Sequence, residues 1–127
     1  MSNSKSTTIL VVDDERRIAD TLAAIFQQAG YAARVAYNGE EALSCIAETE
    51  PSLVVSDVVM PGINGIELAK TIQASHPKCQ VLLFSGNADT QDLLNTAKQQ
   101  GHVFEVLAKP VPPPLMLAKV AFLLSSL

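Results

Sequence analysis

Short apolar runs alternate along the chain with longer stretches in which apolar residues recur every third or fourth position. Ile9-Leu10-Val11-Val12 is apolar without a break, as a strand covered on both faces requires. Glu15 to Ala29 follows, with Ile18, Leu22, Ile25 and Ala29 at helical spacing and Gly30 as a C-terminal stop. Ala32 to Ala36 reads as a weaker strand. Asn38-Gly39 turns the chain, and Glu40 to Glu48 reads as a helix with Leu43, Ile46 and Ala47 inward. Leu53-Val54-Val55 predicts a third strand after Pro51, and Pro61, Gly62 and Gly65 mark a loop over Met60 to Gly65. Ile66, Ala69, Ile72 and Gln73 predict a third helix that ends at His76-Pro77. Val81 to Phe84 is then a fourth strand. Leu93, Leu94 and Ala97 predict a fourth helix stopping at Gly101, Val103 to Leu107 a fifth strand, and Leu115 to Leu124 a last helix. Five strand–helix units in strict alternation predict an α/β fold, a parallel sheet with helices on both faces.

Composition narrows the function classes. The 127 residues suit one domain, and 48% apolar content supplies a core. Nine basic against thirteen acidic side chains, net −4, argue against an electrostatic grip on nucleic acid. No stretch approaches the roughly 18 apolar residues of a membrane helix. Residues 1–7 are small and polar and are expected to be a disordered tail, not a signal peptide. Cys45 and Cys79 show no paired spacing, so the expectation is a reduced, cytoplasmic protein.

In a parallel sheet of this class, ligands bind at the carboxyl ends of the strands. Those ends carry Asp13 and Asp14 with Glu15, then Asp57, then Ser85 with Gly86, then Lys109 with Pro110. Each has an ordinary reading alone: a helix cap, a loop acid, a turn serine, a solvated lysine. Together they make a coherent chemistry. Three carboxylates repel one another, and a hard divalent cation relieves the repulsion; Mg²⁺ suits best, since it keeps coordination positions for water and phosphate. One carboxylate can then attack phosphorus, the lysine can neutralise phosphoryl oxygens, and the serine hydroxyl can donate a hydrogen bond.

The stretches Ile9-Leu10-Val11-Val12-Asp13-Asp14-Glu15, Asp57 to Gly65, Phe84-Ser85-Gly86 and Lys109-Pro110 resemble the receiver domain of bacterial two-component response regulators, chemotaxis regulators among them. The resemblance runs from about Thr8 to Leu124, within one domain over residues 8–127. It implies a flavodoxin-like three-layer sandwich with strand order 2-1-3-4-5 and five helices. It implies Asp57 as phosphoacceptor and Asp14 as a direct Mg²⁺ ligand, with Asp13 acting through water and the main-chain carbonyl of Val59 as a further ligand. Ser85 becomes the switch hydroxyl and Lys109 the phosphoryl contact, with a cis peptide before Pro110. The phosphoryl donor would be a sensor histidine kinase or a phosphotransfer protein. The chain would be a switch that catalyses only its own phosphorylation and dephosphorylation.

Three departures stand out. The position three before the lysine, often aromatic in the family, is Val106, with Phe104 out of register by two. Pro110-Val111-Pro112-Pro113-Pro114 predicts a stiff entry to the last helix. Val59 and Asn87 occupy positions that vary in the family and would tune the lifetime of the phosphate. The last helix carries one charge, so one of its faces is expected to meet a second copy or a downstream domain. Competing readings are a receiver that binds partners without phosphorylation, and a small phosphohydrolase with an aspartate nucleophile. The latter usually needs a second acid where Val59 stands. A flavin or nucleotide module would need a phosphate loop where Asp13-Asp14-Glu15 stands. His76 and His102 receive no role.

Overall fold

The computed structural model describes residues 7–86, 90–102 and 104–125. Its elements alternate as β1 (Thr8–Val12), α1 (Arg16–Gln28), β2 (Ala32–Ala36), α2 (Gly39–Glu48), β3 (Leu53–Asp57), α3 (Gly65–Ser75), β4 (Gln80–Ser85), α4 (Thr90–Gln99), β5 (Val106–Ala108) and α5 (Pro113–Ser125). The strands form one parallel sheet in the order β2-β1-β3-β4-β5. This is the α/β sandwich that the sequence pattern and the resemblance imply.

The unbroken apolar runs are explained by burial on both faces. Ile9, Val11, Leu53, Val55, Leu82 and Phe84 point to one side and pack against Ala19, Ala23 and Phe26 of α1 and Met116 and Val120 of α5. Leu10, Val12 and Val54 point to the other, against Ala42 and Ile46 of α2 and Leu68 and Ile72 of α3. Leu83 joins Val58, Ile66 and Ala97 under α4. Helix ends follow local chemistry. Gly30, at φ 101°, closes α1: its N–H donates to Gln27 O, and that of Tyr31 to Phe26 O. Asn64 opens α3 through a capping box, accepting from the Glu67 amide while the Glu67 carboxylate accepts from the Asn64 amide.

Several boundaries differ from the sequence expectation. The fifth strand is Val106–Ala108, not Val103 to Leu107: Phe104 packs beneath α4 with Val106 and Leu83, and Val103 lies outside the described residues. Asp57 and Ser85 are the last residues of β3 and β4. Ala47 and Gln73 are exposed, because α2 turns Ala42 and Ile46 to the sheet and α3 turns Leu68, Ala69 and Ile72. α5 begins at Pro113, so two prolines sit in its first turn, where their missing amides cost nothing. The expected tail falls mostly on residues 1–6, outside the described residues, while the Thr7 carbonyl accepts from the Ala32 amide. Among the described residues, no helix is long and apolar enough to cross a membrane.

One glycine ties the loop after β3 to the sheet. The Gly65 N–H donates to the Val58 carbonyl at 2.7 Å. A Cβ on Gly65 would stand 2.2 Å from the Asp57 carbonyl oxygen. Gly65→Ala should therefore cost about 3 kcal/mol or more by overpacking against backbone. Asn64→Ala, which only removes the cap, should cost about 1 kcal/mol. Urea unfolding of the two variants against the native chain checks the difference; equal losses would contradict it.

Candidate functional site

Strand register alone brings the acidic residues together. Val12 is paired with Ser56, and Asp57 with Phe84, so the residue after Val12 falls beside Asp57. One carboxylate oxygen each from Asp13, Asp14 and Asp57 lie within 4.8 Å of one another. Asp13 is fully buried, Asp57 is 7% exposed, and Asp14 faces solvent. Lys109, just past β5, reaches over with Nζ 3.4 Å from Asp57 Oδ2 and 3.7 Å from Asp13 Oδ2. Its own amide donates to the Ser85 carbonyl at 2.9 Å, which fixes the lysine backbone to the end of β4. The buried Ser85 therefore sits on the same edge, and the Lys109–Pro110 peptide is cis. Val59 is exposed two residues after Asp57. All six residues singled out in the sequence thus lie on the carboxyl edge of the sheet.

Asp13 does not cap α1, whose N-cap residue is Glu15 with no side-chain cap. Asp13 Oδ1 accepts from the Glu15 amide at 2.9 Å, helping the chain into α1. Its Oδ2 is buried and has no hydrogen-bond partner. Burial pushes the Asp13 carboxyl up from 3.8 to about 6, aided by the Asp57 and Asp14 charges and opposed by the Glu15 amide and Lys109. Burial raises Asp57 as well, against Lys109 and the Val58 and Val59 amides. Three carboxylates against one ammonium leave the cluster with excess negative charge near neutral pH. A buried oxygen without a hydrogen bond, in an all-oxygen donor set that opens to solvent at Asp14, suits a hard divalent cation, which supplies charge without needing a hydrogen bond.

Two features escaped the sequence reading. Lys109 Nζ lies 5.0 Å from the centroid of the Phe84 ring. A groove of about 680 Å³ also runs beside the lysine, lined by Ile18, Leu22 and Ile25 of α1, by Phe84 and by Val111 and Met116. The helical spacing of Ile18, Leu22 and Ile25 was visible, but it reads as core until the position of the loop before α5 is known. At the expected switch position, Val106 is half-buried and packs with Phe104.

The sign of the Asp13 shift makes a pH prediction. Asp13 holds its proton more tightly folded than unfolded, so its contribution is full below about 3.8 and lost as pH rises through about 6. Asp13→Asn keeps an acceptor for the Glu15 amide but carries no charge. It should stabilise the metal-free chain at pH 7.5 by about 1–3 kcal/mol, and by little at pH 3.5. Denaturant midpoints across that range decide it; a gain that does not depend on pH would contradict it.

The chain matches the response regulator receiver domain family over residues 9–121. It is 33% identical over 117 residues to the transcriptional regulatory protein CreB of Escherichia coli, covering 92% of this chain and 50% of that one. It is 35% identical over 102 residues to the DNA-binding transcriptional regulator NtrC of Salmonella typhimurium, covering 80% of this chain and 21% of that one. The chain thus spans a fifth to a half of the length of these curated relatives. Among solved structures, a CheY-like receiver domain protein from Methanospirillum hungatei superposes with TM-score 0.85 at 25% identity, covering 94% of each chain. The receiver domain of NtrX from Brucella abortus does so with TM-score 0.81 at 29% identity, covering 94% of this chain and 99% of that one. Sequence, sheet order and the cluster at the strand ends agree: the chain belongs to the receiver domains of two-component response regulators.

Proposed function

We propose that Asp57 takes a phosphoryl group from a phosphohistidine on a sensor histidine kinase or phosphotransfer protein, and that the chain reports this through its α4–β5–α5 side. The supporting observation is Lys109 Nζ held 3.4 Å from Asp57 Oδ2 within a cluster of three carboxylates. Asp13, Asp14, Asp57 and the Val59 carbonyl would hold Mg²⁺. Bound there, the ion would neutralise carboxylate and phosphoryl oxygens.

In this reading the Asp57 carboxylate attacks phosphorus. An O–P bond forms, the N–P bond to the donor imidazole breaks, and the imidazole leaves with the bonding pair. Lys109 takes a phosphoryl oxygen as a compact cation, and the Ser85 hydroxyl donates to another. Water later attacks the same phosphorus and returns the carboxylate. The groove along α1 opens beside Lys109 and is apolar, which fits a protein donor that must bring its imidazole to this edge. The acyl phosphate carries a charge close to −2 where the carboxylate carried −1, and the added charge draws Ser85 and Lys109 inward. On the output side, Leu115 and Phe122 of α5 are 51% and 67% exposed. We assign them to contact with a second copy or a downstream domain. Such a relay places the chain in the cytoplasm.

Incubation with acetyl phosphate and Mg²⁺, followed by intact mass measurement, tests this reading. One phosphoryl adduct should form, should require Mg²⁺ and should be absent from Asp57→Asn. Lys109→Ala should slow it by about ten-fold or more, as loss of a charged contact to the transferring group does. An adduct that persists in Asp57→Asn would overturn the assignment.

A further inference from the structure

The lysine at the site is supported by an aromatic ring that the reaction as described leaves unused. Phe84 is 2% exposed and is the strand partner of Asp57. Its carbonyl accepts from the Val58 amide at 3.1 Å, so its backbone is fixed to the segment that carries Asp57. Its ring lies under the Lys109 ammonium at 5.0 Å, within the range where a ring face attracts a cation. On the neighbouring turn, a Cβ at Gly86 would stand 3.3 Å from Lys109 Cβ and 3.6 Å from Cδ. Glycine there leaves the lysine stem its path across the end of β4.

From this geometry we propose that Phe84 is a positioning residue for phosphoryl transfer. It holds the Lys109 ammonium at the site by cation–π attraction. The proposal rests on Asp57 being the phosphoacceptor. Four methylenes separate the lysine charge from its backbone, and each adds freedom that must be lost when the ammonium meets a phosphoryl oxygen. A hydrogen-bond acceptor could also hold the ammonium, but it would occupy one of the three N–H donors. A ring face attracts the charge and consumes no donor, so all three stay available to Asp57, Asp13 and an incoming phosphoryl group. Leucine would fill much of the volume without the attraction. The leucine variant therefore separates the attraction from core packing.

Replacing Phe84 by phenylalanines with one, two, three and five ring fluorines drains the negative face while nearly keeping the shape. The rate of adduct formation from acetyl phosphate at saturating Mg²⁺ is then measured for each chain. The logarithm of the rate should fall steadily with fluorination, reaching about 3- to 10-fold for the pentafluoro ring, and Phe84→Leu should match that loss. The Mg²⁺ concentration for half-maximal rate should not rise, because Lys109 is not a ligand and its charge only competes with the ion for Asp13 and Asp57. A rate indifferent to fluorination, on a chain that does form the Asp57 adduct, overturns the role of Phe84 alone. A native chain that forms no adduct overturns the phosphoacceptor reading and this proposal with it.

Discussion

Two carboxylates removed from water and facing one ammonium govern this molecule. Asp13 and Asp57 are placed side by side by parallel register, at the point where three apolar strands end together. Burial there raises the cost of both negative charges, and Lys109 relieves it only in part. The fold carries this unfavourable arrangement because Ile9 to Val12, Leu53 to Val55 and Leu82 to Phe84 are buried on both faces. The site is thus poised to gain from added positive charge.

The elements around the cluster are fixed by contacts that leave little slack. Gly65 lies against the Asp57 carbonyl, so the loop after β3 cannot drift from the strand that bears the acid. The Lys109 amide is bonded to Ser85, which ties the end of β5 to the end of β4. Phe84 joins these features: it belongs to the core beneath α1 and α5, is paired with Asp57 and faces the Lys109 ammonium. Asp57 thus stands among side chains gathered at the ends of four strands. The apolar groove lies between α1 and the start of α5, while Leu115 and Phe122 of α5 face solvent.

Much of this was legible in the sequence because strands buried on both faces leave unbroken apolar runs, and topology then decides what their ends bring together. Asp13, Asp14, Asp57, Ser85 and Lys109 could be read as one set for that reason. The fifth strand was misplaced because Phe104 and Val106 are both apolar, and periodicity cannot tell a strand residue from one packed beneath a helix. Ala47 was assigned inward for a similar reason, since alanine is too small to mark a face. The contact between Phe84 and Lys109 joins residues 25 positions apart and depends on how the lysine stem crosses Gly86, which no spacing rule encodes.

The most direct test of the central claim is titration calorimetry with beryllofluoride, which mimics a phosphoryl group on a carboxylate. An acidic cluster that needs added positive charge and has one reactive acid predicts uptake of one equivalent per chain, only when Mg²⁺ is present. Uptake of beryllofluoride without Mg²⁺, or none with it, would contradict the account.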